Sequence, residues 1–432
     1  MDEEFQKYVI NAIDCIDENS DEFKVSGKNN SIFRRLKDFL LDKSSFNLDK
    51  FRISDDIFKQ KLNDILYEAK QDESPLNRFK EEINKLRKEI GQNGFSEFTI
   101  LFPLNLEFSE TLDPEDFSVM GHEIQFIPFQ NRDKYFSDVQ EYDDFCEFIE
   151  KCPNNIKFNS DNIWKFEFKA YNRGYALEKL EKLLKLLLGK INYSIYFNTL
   201  YPWKFDKNVH PKRWSDLRLP FIYFIFEEGN YSNFLYNEDV TLRKDVKISS
   251  IKEEKYKEHY PNLSSLSYDG DIEKKIISAF RAFQNGISEY RVEKAFLEFW
   301  RGLENLTFVD EGSFTSDVVN RAKSIIEHKD PFFEDSLDKL VDKRNDLVHE
   351  GLDVGISRRD LEMTKLLLEI LIDFSIQFKD DLDKEEMSIF LKESLSKESN
   401  EVRSIEDLKH RLSSLEQKTK VVKRIIELRE KE

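Results

Sequence analysis

Cysteine is scarce in this chain, and the shortage excludes two ways of holding a fold together. Only Cys15, Cys146 and Cys152 occur in 432 residues. An odd number, with no CxxC spacing and no paired histidines nearby, supports neither a disulfide framework nor a zinc site. Long apolar runs are missing as well: the longest, FIYFIF at 221–226, is far too short for a membrane-spanning helix. The first residues, MDEEFQKYVINAIDCIDENSDEF, are acidic and have neither the basic start nor the apolar block of a signal peptide. These absences lead to the expectation of a cytoplasmic protein with no metal, no cofactor and no membrane partner.

Positive charge is in deficit. A net charge of −18 argues against broad, non-specific binding of DNA or RNA, which draws on many Lys and Arg contacts to phosphate. A nucleic-acid partner would have to be met at a local patch. Glycine is sparse too, at 13, and NRG at 172–174 carries none of the pattern of a phosphate-binding loop, so nucleotide hydrolysis has no support. No Ser/His/Asp or nucleophile-elbow pattern stands out. Apolar material is plentiful by contrast: 39% of residues are hydrophobic and 38 are Phe, enough for real cores in two or three domains.

Hydrophobic periodicity divides the chain into four regions. Residues 1–95 read as helices, with apolar positions three and four apart in 31–43, 55–71 and 75–94. The last of these has Ser74 as N-cap, Pro75 at its first position and GQNG as its stop. Residues 96–265 read as an α+β sensor or regulatory domain. Strands are predicted at 98–108, 122–129, 163–171, 191–197 and 220–229, and an amphipathic helix over 175–190 that ends at Gly189. In IWKFEFKAY, Trp164, Phe166, Phe168 and Ala170 alternate onto one face. Charge runs and a Pro/Asn/Ser cluster at 239–268 mark a boundary. Residues 266–380 read as an all-α bundle with helices at 271–287, 292–308, 316–328, 331–350 and 358–378. The tail, 381–432, holds Ile405, Leu408, Leu412, Leu415, Val422 and Ile426 in a short coiled-coil-like seam interrupted by Thr419.

One helix in the bundle carries an unusual charge. In 331–350, Phe333, Leu337, Leu340, Val341, Leu347 and Val348 share an arc at about 100° per residue, and Arg344 falls in the middle of it. Asp338, Asp342, Asn345 and His349 run along the adjacent polar face. A guanidinium on an apolar stripe must find a carboxylate, reach an interface or meet an anion. Glu304, on the edge of the apolar face of 292–308, is the predicted carboxylate. A Glu304–Arg344 pair fits a polar pocket in the bundle, and it equally fits a buried pair that only fixes helix register. Arg followed by four to six residues and then His is a cheap pattern by itself, since Arg321…His328 and Arg403…His410 also match it; these two read as solvated helix faces. Only Arg344 is followed by Asn, lies in an apolar arc and has its His beside a helix-ending Gly351.

RNDLVH, preceded by FLEFWRGLENLTF on an earlier helix, resembles the HEPN superfamily. It is most similar to the ApeA-like HEPN domains found at the C-terminus of bacterial anti-phage and abortive-infection proteins. The likeness covers roughly 270–380. It implies a HEPN-type bundle and a metal-independent endoribonuclease, in which two motif helices of a homodimer face each other across one cleft. It implies that His349 exchanges protons with the 2′-hydroxyl or the leaving oxygen, that Arg344 holds the scissile phosphate, that Asn345 orients the imidazole or binds phosphate, and that Glu304 orients Arg344. The implied substrate is tRNA or other translation RNA, with a phage-derived trigger or a regulatory protein as a further partner. A non-catalytic HEPN scaffold and the toxin of a toxin–antitoxin pair are the alternatives. Asp342, Asp346 and Glu350 crowd the motif and would repel phosphate unless they point away or pair with Lys339 and Lys343.

A second candidate is YPWKFDKNVHPKRW at 201–214. Lys204, Lys207, Lys212 and Arg213 are interleaved there with aromatics that include Trp203 and Trp214, a composition suited to single-stranded nucleic acid. The competing reading is a Pro-anchored loop whose Trp residues belong to the core.

Overall fold

Helical periodicity shapes the N-terminal region as predicted. The computed structural model describes residues 3–16, 30–43, 47–92, 94–107, 117–152, 162–199, 214–215, 217–237, 246–247, 270–308, 315–326, 331–350 and 355–393, with a few isolated positions besides. Helices α1 (Glu3–Asp14), α2 (Asn30–Lys43), α3 (Leu48–Phe51), α4 (Asp55–Lys70) and α5 (Pro75–Gln92) gather around a core of their own. Phe58, Leu62 and Leu66 of α4 meet Phe79, Ile83 and Leu86 of α5 within it. Polar contacts join this layer to the rest: Arg52 donates to the Lys169 carbonyl at 2.7 Å, and the Tyr175 hydroxyl donates to Asp49 at 2.7 Å.

Alternating residues build the next layer, a mixed α+β arrangement. Its elements are β1 (Ser96–Pro103), β2 (Leu106–Glu107), β3 (Ser118–Val119), β4 (His122–Phe126), α6 (Asp133–Phe136), α7 (Gln140–Lys151), β5 (Ile163–Ala170), α8 (Arg173–Tyr196), β6 (Ile222–Glu227), β7 (Asn230–Tyr236) and β8 (Val246–Lys247). Six strands form an antiparallel sheet in the order β3-β4-β5-β1-β6-β7, while β2 and β8 pair in parallel. In β5, Trp164, Phe166, Phe168 and Ala170 all face the helical side, as the alternation predicts. FIYFIF is apolar throughout because β6 is covered on both faces. Tyr223 and Ile225 enter the helical core, whereas Ile222, Phe224 and Phe226 meet Phe145 and Ile149 of α7 on the other side.

The strand expected at 191–197 is a correction. Helix α8 runs unbroken from Arg173 to Tyr196, through Gly189. The aromatic and branched residues of INYSIYF suggest a strand, but Ile191, Tyr193 and Ile195 are all buried among neighbouring helices, and tertiary packing overrides that local preference. Gly189 is no stop. A Cβ there would lie 2.5 Å from the carbonyl oxygen of Phe280, so the missing side chain lets two helices cross closely. The end of α8 is capped from afar: the Lys365 ammonium donates to the carbonyls of Tyr196 at 2.9 Å and Thr199 at 3.3 Å. Lys365 also pairs with Glu369 at 2.6 Å, and both side chains are almost wholly buried.

The C-terminal helices follow the predicted order: α9 (Asp271–Ser288), α10 (Val292–Leu306), α11 (Thr315–Lys323), α12 (Pro331–Glu350), α13 (Arg358–Phe378) and α14 (Lys384–Glu393). One continuous apolar cluster reaches from Phe98 of β1 through Leu187 of α8 to Leu371 of α13. The boundary read between 265 and 266 is thus a change of secondary structure across a shared core. The seam proposed for 405–426 lies outside the described residues apart from isolated positions.

Candidate active site

Three helices place the site. On α10, Phe296, Phe299, Trp300 and Leu303 point into the core, and this leaves Glu304 at the margin one turn beyond Trp300. On α12, Leu337, Leu340 and Leu347 are buried, while Val341 is only half-buried and Val348 is 54% exposed. The apolar arc is therefore narrower than the sequence suggests. Arg344 sits at its edge, and the side chain of Phe333 lies outside the description.

The predicted pair is present. The Arg344 Nη2 donates to Glu304 Oε1 at 3.1 Å, and the Trp300 indole N–H donates to the same oxygen at 2.9 Å. Side-chain exposure of 25% for Arg344 and 38% for Glu304 separates this pair from the sealed Lys365–Glu369 pair. Solvent reaches the guanidinium, so the pair is not a buried register lock. Asn345 joins from the other side: its Oδ1 accepts from Thr315 Oγ1 at 3.2 Å and from Arg344 Nη1 at 3.4 Å. Sequence reasoning assigns neither Thr315 nor Trp300 a role at the site. The Trp300 contact is an i, i+4 relation that the sequence holds, whereas nothing local brings Thr315 to a residue thirty positions on.

His349 is exposed and makes no hydrogen bond among the described residues. Asn345 does not touch it; the amide oxygen is taken up by Thr315 and Arg344, so the expected orienting of the imidazole by Asn345 is not what its contacts show. Lys343 takes its partners from beyond its own helix. It donates to Asp360 at 2.8 Å and to the Gly355 carbonyl at 2.9 Å, and leaves the acidic residues of its own helix alone. Burial alone would raise the Asp360 carboxyl, but hydrogen bonds from Lys343 and Ser357 outweigh it and hold the group below its ordinary value. Asp342 and Asp346 are exposed, while Asp338 pairs with Lys323 at 2.6 Å.

The other candidates separate clearly. Arg321, read as a solvated face, is buried, and its Nη1 donates to the carbonyls of Thr307 at 2.9 Å and Phe308 at 2.6 Å. It closes the C-terminal end of α10, because the last carbonyls of a helix lack partners within it. His328, Arg403 and His410 lie outside the described residues, as do Trp203, Lys204, Lys207, Lys212 and Arg213. Trp214 is a correction: it is 6% exposed and packs edge-on against Phe299 at 5.7 Å, so its ring offers no face to a base. Among the described residues no group of three His, Cys, Asp or Glu could hold a metal ion, and no helix is long and apolar enough to cross a membrane.

Comparison with known proteins returns no matching family model, no matching curated protein and no matching solved structure.

Proposed function

We propose that the chain is a metal-independent endoribonuclease of the HEPN type, acting in the cytoplasm as a homodimer in anti-phage defence, with tRNA or other translation RNA as substrate. The observation that carries this reading is the state of Arg344: a guanidinium held by Glu304 yet open to solvent, on the same helix end as an unengaged His349. Glu304, itself held by the Trp300 indole, fixes one side of the guanidinium, and the N–H groups not taken by Glu304 or Asn345 would meet phosphate oxygens. In the reaction, the ribose 2′-oxygen gives its proton to an imidazole and attacks phosphorus. The bond to the 5′-oxygen breaks and that oxygen takes a proton, leaving a 2′,3′-cyclic phosphate and a 5′-hydroxyl. Proton transfer of this kind contributes about 10²–10⁴-fold in rate.

A second reading, a non-catalytic HEPN module, is favoured by one observation. Asp342 and Asp346 are both exposed on the flank of His349, where an incoming phosphate would be repelled. The test is expression of wild type, Arg344→Ala and His349→Ala, with and without phage, following growth and small RNA, together with cleavage by purified protein in excess EDTA. Both variants are expected to fold, to lose protection and to cut RNA at least ~100-fold more slowly. Wild-type behaviour from both variants refutes the ribonuclease, and strict dependence on added metal refutes the metal-free chemistry.

A further inference from the structure

A cleft of about 650 Å³ opens where α8, the residues leading into β6, α9 and α10 meet. Its size suits a small organic molecule, and junctions between layers are where such sites commonly form. Its charge is unusual for a chain with a net charge of −18: Lys185, Arg218, Lys294 and Arg301 line it, against Glu181, Glu289 and Glu298. Two of the carboxylates are already engaged within the fold. Glu298 accepts from Arg301 at 2.9 Å and from Asn285 at 3.1 Å, and Glu289 accepts from the backbone N–H groups of Tyr290 and Arg291. Lys185 of α8 and Lys294 of α10 form no ion pair among the described residues. Two lysines thereby line one cavity without an ion pair among the described residues.

The cleft also has a neutral polar side. Tyr223 is 2% exposed, and its buried hydroxyl already has hydrogen-bonding neighbours in the fold. Glu181 and Asn237, both cleft residues, lie beside that hydroxyl. Asn237, Asn285 and Ser288 offer a ligand hydroxyl or ring nitrogen uncharged groups to bond. Leu219 and Leu297 supply apolar wall between the two ends. The larger cleft elsewhere, about 950 Å³, has the opposite balance, with Asp271, Glu273, Asp380, Asp383 and Glu385 against Lys379 and Lys384.

We infer that this cleft binds a nucleotide-sized organic phosphate, with the phosphate between Lys185 and Lys294 and the hydrogen-bonding portion toward Asn237. Helix α10 carries Lys294 and Arg301 of the cleft and, one turn on, the Glu304 that holds Arg344, so ligand occupancy reaches the candidate active site through one rigid element. That coupling rests on the ribonuclease reading; the binding does not.

The test is isothermal titration calorimetry and thermal melting of the full chain with AMP, ATP, adenosine and inorganic phosphate. Variants are Lys185→Glu/Lys294→Glu, the exposed-charge control Lys59→Glu, and Arg344→Ala. AMP or ATP is expected to bind and raise the melting temperature, with adenosine and inorganic phosphate much weaker. The double variant should keep the unliganded melting temperature and bind at least ~10-fold more weakly, while Lys59→Glu and Arg344→Ala bind as wild type. Binding by none of the four probes, or equal binding by the double variant, overturns the site. Inorganic phosphate binding as tightly as AMP overturns the nucleotide-sized ligand. Loss of ribonuclease activity with binding intact, as expected for Arg344→Ala, separates failure of one claim from failure of the other.

Discussion

Gly189→Ala tests the central packing feature of the molecule through the sign of its effect. Gly189 lies inside α8, and an interior helical glycine costs about 1 kcal/mol relative to alanine when nothing else constrains it. If propensity were all, the substitution would stabilise by that amount. The new methyl, however, would lie 2.5 Å from the Phe280 carbonyl oxygen and 3.1 Å from its carbon. The obstacle is backbone of α9 and cannot rotate aside. Phe280 and Leu186 beside it are fully buried, so the two helices must move apart inside a filled core. Overpacking of this kind costs about 1–3 kcal/mol, and a rigid obstacle places Gly189 at the upper end. Subtracting the propensity gain leaves a net loss of about 2 kcal/mol, or a fall in melting temperature of roughly 2–4 °C for a chain of this size. Gly91, near the end of α5, has nothing within 4 Å of its would-be methyl and serves as the control. Guanidinium denaturation and calorimetry of both alanine variants supply the readout. Stability that stays level or rises in Gly189→Ala refutes the crossing and returns Gly189 to the status of an ordinary interior glycine.

Two further predictions concern charges away from the candidate site. Lys365→Met strands the Glu369 carboxylate in the core and is expected to cost about 3–5 kcal/mol, whereas Lys365→Met/Glu369→Leu recovers most of that; a double variant as unstable as the single one would refute the pairing account. The Lys343–Asp360 clamp should be sensitive to acid. The folded carboxyl is held below its ordinary value, so its contribution is fully present above about pH 4 and is lost as pH falls through the lower folded value. Denaturation midpoints of wild type and Asp360→Asn should differ at pH 7 and converge below pH ~4, and a gap unchanged at the lowest pH would sink the assignment.

Elements with a single strong period were legible in the sequence. The helices at 271–287, 292–308 and 358–378 appear almost to the residue, as does the strand at 163–170, because apolar spacing alone decides which face is buried. Where periodicity gave two answers, tertiary packing chose. Residues 191–197 have strand composition but lie at the buried end of a helix that Lys365 caps from another part of the chain. Strand β7 was not read at all. NYSNFLY is an edge strand with most of its side chains partly or fully exposed, and its clearest signal is the two-residue Glu228–Gly229 turn, with φ of 50° and 80° at successive positions. Arg321 looked like a surface residue because its partners, the free carbonyls at the end of α10, are backbone groups that no side-chain pattern announces. The Arg344–Glu304 pair was legible for the opposite reason. Each residue is a charge on or beside an apolar stripe, and such charges must find one another.

Arg344 and His349 also differ in direction, and the difference bears on how they could act together. Five residues at about 100° each turn the two side chains roughly 140° apart around α12. The guanidinium is drawn inward toward Glu304 and Asn345, while the imidazole leaves on the solvent side next to an exposed Val348. A single copy of this helix is thus poorly shaped to bring both groups to one phosphate. The proposed homodimer would do so if its twofold axis set the guanidinium of one chain opposite the imidazole of the other. An exposed valine beside the histidine is the residue such an axis would bury, and its burial on association would favour the pairing that completes the site. In a lone chain, Glu304 and Trp300 hold Arg344 in place, and if the proposed ribonuclease works as a homodimer, association of two chains would itself turn activity on.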